Sequence, residues 1–163
     1  MTVDGMDCPI EEPYPFDTHI FSEKLNGPGY KYEVAVCIAT CDIVWINGPF
    51  KAGRHDVTIF TEDGLKDALC DDEGVEVDWG YQGDDKLKNP NISQSRKDRI
   101  EKSTVCSRHE NVNGRLKQFS ILKDVFHHQL LRHKSAFEAV AVITQLGFEF
   151  HGCLYSVDCN ATY

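Results

Sequence analysis

The chain has 163 residues, 41% hydrophobic and 26% charged, enough for one domain with a real core and too apolar for a disordered polymer. Its formal net charge is −9, but residues 1–78 hold 17 acids against 5 bases, whereas residues 86–117 hold 9 bases against 3 acids. The overall acidity counts against nucleic-acid binding except at that basic block, where phosphates would meet local cations.

In chain order, the opening MTVDGMDCPI lacks the basic-then-apolar layout of a secretory signal, and no run of about 18 apolar residues follows, so neither secretion nor a membrane span is expected. A first strand is expected over residues 2–7, with Val3 pointing inward. PIEEPYPF reads as a loop because proline removes ladder donors. FDTHIFSEKL suits a brief helix capped at Asp17 and stopped by NGPG. YKYEVAVCIAT and DIVWING are apolar, β-branched runs around a turn at residues 41–42, a hairpin signal. The seven cysteines include no C-x-x-C pair, which argues against a disulfide framework and a tetrahedral zinc site. Cys37 and Cys41, flanking the turn, are expected to be buried thiols in a reducing compartment.

GRHDVTIFTEDGLKDALC suits a helix opening at Asp56, with Ile59, Phe60 and Leu69 on its apolar face. GVEVDWGY reads as a short buried strand ending at Asp78, with Gly80 in the bend. QGDDKLKNPNIS is a polar loop. A long helix without proline is expected over residues 93–117, and an amphipathic one near residues 131–146 with Phe137, Val140, Ala141, Ile143 and Thr144 inward. The order predicts a single α/β domain, a mixed β-sheet flanked by helices on both faces and antiparallel at its hairpin.

Four acids stand out by position. Asp4 lies on the first strand, Asp56 opens a helix, Asp78 ends a strand, and Glu110 sits among Arg108, Arg115 and Lys117. Each has a plain structural role available: a turn with Gly5, an N-cap, a bend at Gly80, and a surface ion pair worth well under about 1 kcal/mol. They also have a chemical one. Cleavage of a phosphodiester needs an activated nucleophile and a neutralised leaving oxygen, which two divalent ions roughly 3.5–4 Å apart provide. Such ions take oxygen ligands, and three carboxylates converging without them would repel and hold protons more tightly. Lys117 follows Glu110 by seven residues, about 20° short of two helical turns, and Asn113 joins the same face. A metal ligand and a phosphate contact would then lie side by side. The plain alternative for the basic block is a solvated helix face.

VDGMDCPI, GPFKAGRHDVTIF, VDWGYQG and SRHENVNGRLKQF, in that order, resemble the catalytic region of DDE transposases of the PIF/Harbinger type, also called DDE superfamily endonucleases. The similarity runs from Thr2 to about Leu154. It implies an RNase H-like fold with a five-stranded mixed sheet. It implies catalytic, metal-binding carboxylates at Asp4, Asp78 and Glu110, two ions (Mg2+ or Mn2+), and accessory positions at His55, Asp56 and Lys117, with Asp56 as the alternative triad member. Tyr81 matches the family tyrosine. Arg108, Arg115 and Lys117 would hold DNA phosphates, and Trp79 would pack in the core or stack on an unpaired base. Related insertion-sequence enzymes carry an arginine where this chain has Cys106. The implied activity is cutting of DNA at transposon ends and joining of the 3′-hydroxyl to target DNA. The alternative is a domesticated, non-catalytic DNA- or protein-binding derivative. Implied partners are DNA, a separate protein supplying sequence recognition, and a second copy in a homodimer on DNA. The resemblance further implies a nuclear location, otherwise a cytoplasmic one, and a catalytic domain truncated at its N-terminus.

Overall fold

Successive side chains of a strand point to opposite faces, and in β1 (Thr2–Pro9) both faces are claimed. Met6 and Cys8 enter one apolar cluster, and Val3 enters another. The computed structural model describes residues 1–89 and 96–151. Within them β1 is followed by a 3-10 turn at Thr18–Ile20 and by β2 (Phe21–Ser22). The hairpin of β3 (Gly27–Val36) and β4 (Ile43–Lys51) comes next, then α1 (Asp56–Glu62), β5 (Val75–Glu76) and β6 (Leu87–Lys88). The helices α2 (Arg96–Leu116), α3 (Ser120–Lys123) and α4 (His133–His151) complete the order.

Apart from the two-residue β2, which pairs with β3, the sheet runs β4-β3-β1-β5-β6. β3 is antiparallel to β4 and β1, while β1, β5 and β6 are mutually parallel neighbours. On one face Met6, Val34, Val112, Leu116, Phe137 and Val140 pack together beneath α2 and α4. On the other, Val3, Ala35, Phe60, Leu65, Val75 and Tyr81 pack beneath α1. Each such side chain, fully buried, contributes roughly 1.5–3 kcal/mol. The expected α/β class, with a mixed sheet between helices, is the observed one, consistent with the RNase H-like fold.

The differences have local causes. Asp17 caps a 3-10 turn rather than an α-helix, accepting the His19 N–H at 3.0 Å. β3 begins inside the expected breaker, because β2 pairs with Gly27 and Pro28 and the Pro28 carbonyl accepts the Ile10 N–H at 3.1 Å. The helix opened by Asp56 stops at Glu62, and a separate 3-10 turn covers Leu65–Ala68. Buried Glu33 divides them: its Oε2 accepts the Leu65 N–H at 3.0 Å and the Trp45 indole N–H at 2.8 Å. Any Cβ at Gly64 would stand 2.6 Å from that carboxylate. β5 ends before Asp78, and β6 occupies what reads as a polar loop. Ile143 is 53% exposed and does not belong to the buried stripe of α4. Cys37 is a free thiol as expected but half-buried rather than buried, and Cys41 is disulfide-bonded rather than reduced. The expected helix start at Ser93 lies outside the described residues. Among those residues, no helix is long and apolar enough to cross a membrane.

Candidate active site

At the start of β1, where Thr2 pairs with Glu76 of β5, three segments border one small cleft. Thr2, Asp4, Glu76, Asp78, His109 and Glu110 line it, around a volume of about 30 Å3. α2 is keyed to β1 by two contacts: Thr2 Oγ1 lies 2.6 Å from His109 Nδ1, and Asn113 Nδ2 donates to Asp4 Oδ2 at 3.0 Å. Two strand residues rise about 6.6 Å and four helical residues about 6 Å, so both contacts form along one line. Glu110, next to His109, is thereby carried to the rim, where it is exposed.

Asp4 is the enclosed acid of the three. Its Oδ1 accepts the Gly5 N–H at 2.8 Å. Burial pushes its carboxyl up to about 6, helped by the neighbouring charges of Asp78 and Asp56 and opposed by Lys24 and the Gly5 N–H. Asp78 is exposed and held by its own turn, with Oδ1 accepting the Gly80 N–H at 2.8 Å. Val77 and Tyr81, each 1% exposed, clamp that turn to the core from either side. The expected bend at Gly80 is therefore present, and it presents Asp78 outward. Trp79 is 53% exposed, so of its two expected roles core packing is the one the structure excludes.

Asp56 is the first residue of α1, and the capping position belongs to His55, whose side chain makes no cap bond. Instead, Asp56 lies directly over Gly5, where an added Cβ would overlap its carboxylate. Lys31 Nζ sits 2.7 Å from Asp56 Oδ1 and 3.8 Å from Asp7 Oδ1, and donates to the Arg54 carbonyl at 2.8 Å. Lys31 is 6% exposed and Asp7 3%. This pair of acids around one buried lysine fastens α1 to β1 and β3 just behind Asp4.

The described cations at the C-terminal end of α2 are spread over different surfaces. Arg108 is half-buried and has an interaction partner. Arg115 borders a groove with Phe148 and His151 at the α2–α4 junction, not the carboxylate cleft. Lys117 follows the end of α2, its N–H donating to the Asn113 carbonyl at 3.0 Å, and its charge acts on the Cys8 thiol. The side chain of Cys106 lies outside the described residues. His109, Glu76, Lys24 and Lys31 are the neighbours that sequence reading passes over. His109 and Asn113, at i and i+4 around Glu110, match Thr2 and Asp4 at i and i+2 of the strand, and that paired polar spacing was the available signal.

Carboxylate oxygens suit a hard cation, and the Asp4 carboxyl, raised first by burial and further by Asp78 and Asp56, is one whose charge a cation would stabilise. Among the described residues, no group of three His, Cys, Asp or Glu side chains is drawn together tightly enough to hold one ion in this arrangement. The donor chemistry fits, while the exposed Glu110 and Asp78 stand at the rim rather than closed on Asp4. Searches of curated proteins and of solved structures found no match to the chain. The model of one family, described as DDE superfamily endonuclease, matches residues 3–145, a span that contains β1, Asp78 and Glu110 alike. With that match across most of its length and an RNase H-like sheet beneath it, the chain belongs to the DDE superfamily endonucleases.

Proposed function

We propose that this chain is the catalytic domain of a metal-dependent DNA endonuclease of the PIF/Harbinger transposase type, with Asp4, Asp78 and Glu110 as its catalytic carboxylates. The observation that supports this reading is their meeting on one cleft from three separate elements, β1, the turn after β5, and α2. Two divalent ions, Mg2+ or Mn2+, when bound there would make an attacking water or hydroxyl nucleophilic and neutralise the leaving oxygen. Asp4, Asp78 and Glu110 would hold these ions. The chain's own contribution is placement: Gly5 N–H and Asn113 orient Asp4, the Gly80 N–H orients Asp78, and the Thr2–His109 contact sets the height of Glu110. His55 and Asp56 act through the α1 attachment rather than on substrate. Arg108, Arg115 and Lys117 would hold phosphates away from the cut, giving affinity without sequence information. Trp79, exposed beside Asp78, offers a face on which an unpaired base can stack. Joining of a 3′-hydroxyl to target DNA, a second copy on the DNA, a separate protein reading the sequence, and a nuclear site of action belong to the same reading.

The test is nicking of supercoiled plasmid DNA with Mg2+, Mn2+ or chelator. Nicking is expected only with metal, and Asp78→Asn is expected to reduce it by at least about 100-fold, as loss of a group acting on the transition state does. A wild-type protein that binds DNA but never nicks it would support the non-catalytic derivative instead. Nicking that survives Asp78→Asn would remove Asp78 from the site.

A further inference from the structure

The largest concern for any strand approaching Asp4, Asp78 and Glu110 is their like charge, and neither Arg108 nor Arg115 lines their cleft. A second, wider depression does lie close by. It has a volume of about 510 Å3 and is lined by Asp7, Ser22, Lys24, Lys31, Arg54 and His55 among others. Asp7 and Asp4 are on the same strand, three residues or about 10 Å apart, an odd spacing that turns their side chains to opposite faces of the sheet, and the charge of Lys24 acts on both. Lys31, on the wall of the wider depression, is paired to Asp56, which stands over Gly5, the residue next to Asp4.

The cations of this wider cleft differ in what they already hold. Lys31 is taken by Asp56 and Asp7, and Arg54 by Glu62 and Asp63. Lys24, exposed on the turn between β2 and β3, has no hydrogen-bond or ion-pair partner among the described residues. Its charge acts on Asp4, Asp56, Asp7 and Asp78 together. An ammonium that lines an open cleft and is hydrogen-bonded to no acid there remains available to a ligand that brings its own negative charge. We propose that the cleft beside the carboxylates receives the DNA strand flanking the cut, and that Lys24 is the residue that binds its phosphate there. The inference rests on the nuclease reading for its ligand, and it places the decisive phosphate contact on the β2–β3 turn rather than on α2.

Binding of a fluorescent single-stranded 30-mer, followed by anisotropy across a salt series without metal, tests this directly. Lys24→Gln is expected to bind about tenfold more weakly and to lower the salt slope by about one, and Lys24→Arg to restore both. In plasmid nicking with Mn2+ the same variant should raise KM more than it lowers kcat. Unchanged affinity and salt slope in Lys24→Gln would overturn the proposal. So would tighter Mn2+ binding in Lys24→Gln with DNA affinity untouched, since Lys24 would then be only a counter-ion to the acids. The nuclease reading is judged separately: loss of nicking in Asp78→Asn leaves it standing when Lys24→Gln fails, and a weaker Lys24→Gln complex stands even when no variant nicks.

Discussion

Asp4 shows how an enclosed acid can work against the fold that holds it. Its carboxyl, raised to about 6 from an ordinary 3.8, binds a proton more tightly in the folded chain than in the unfolded one. Stability from this group is therefore fully present below about pH 4 and lost as pH rises through about 6, a change of about 3 kcal/mol. Buried His109 and His133, both lowered to about 4 by burial, act in the opposite sense over the same range. The effect of Asp4 must therefore be read as a difference. Asp4→Asn is expected to be more stable than wild type at pH 7 without metal, with the advantage vanishing near pH 4, in urea titrations at both pH values. An amide fits because Asn113, whose Oδ1 has no partner, can turn to accept from it. Equal stability at both pH values would show that Asp4 is not strained. Sequence alone places Asp4 on a strand before a glycine. It does not show that Gly5 is bare so that Asp56 can approach, since that contact joins residues with fifty others between them.

At the scale of elements, α1 is held by charge where α2 is held by spacing. Lys31 lies buried between Asp7 and Asp56, and removing it would leave two acids without their cation. Lys31→Met is expected to destabilise the protein by about 3–5 kcal/mol, read as a lower urea midpoint with an unchanged slope. A change below about 1 kcal/mol would mean that the cluster is solvated in solution and does not anchor α1. The β3–β4 hairpin and α4 were legible because their apolar residues run or recur at the right interval, and α2 because no proline interrupts it. β5 was read from GVEV, only too long, while β2 and β6, two residues each, were not legible, because such pairings draw on neighbours rather than on their own pattern. The split between α1 and the 3-10 turn was equally hidden: it serves the buried carboxylate of Glu33, a residue of another strand.

For the whole molecule, net charge and function pull apart. A chain at −9 is repelled by DNA at long range, and binding must come from a few local cations. Affinity for DNA is therefore expected to fall steeply with salt, and Lys117→Ala to weaken it alike for all sequences, both measured by anisotropy. A flat salt response would remove phosphate contact from the account. The sequence motifs led to the right family and sheet, and their order along the chain brought three acids to one cleft. What they could not convey was the spacing between those acids or the separation of Arg115 from them, since both depend on how α2 rotates on the sheet. The most direct measurement is a crystal of the protein soaked in Mn2+, with anomalous scattering used to locate the ions. Manganese held between Asp4, Asp78 and Glu110 is the expected result. Ordered manganese elsewhere, with these three side chains pointing apart, would contradict the account.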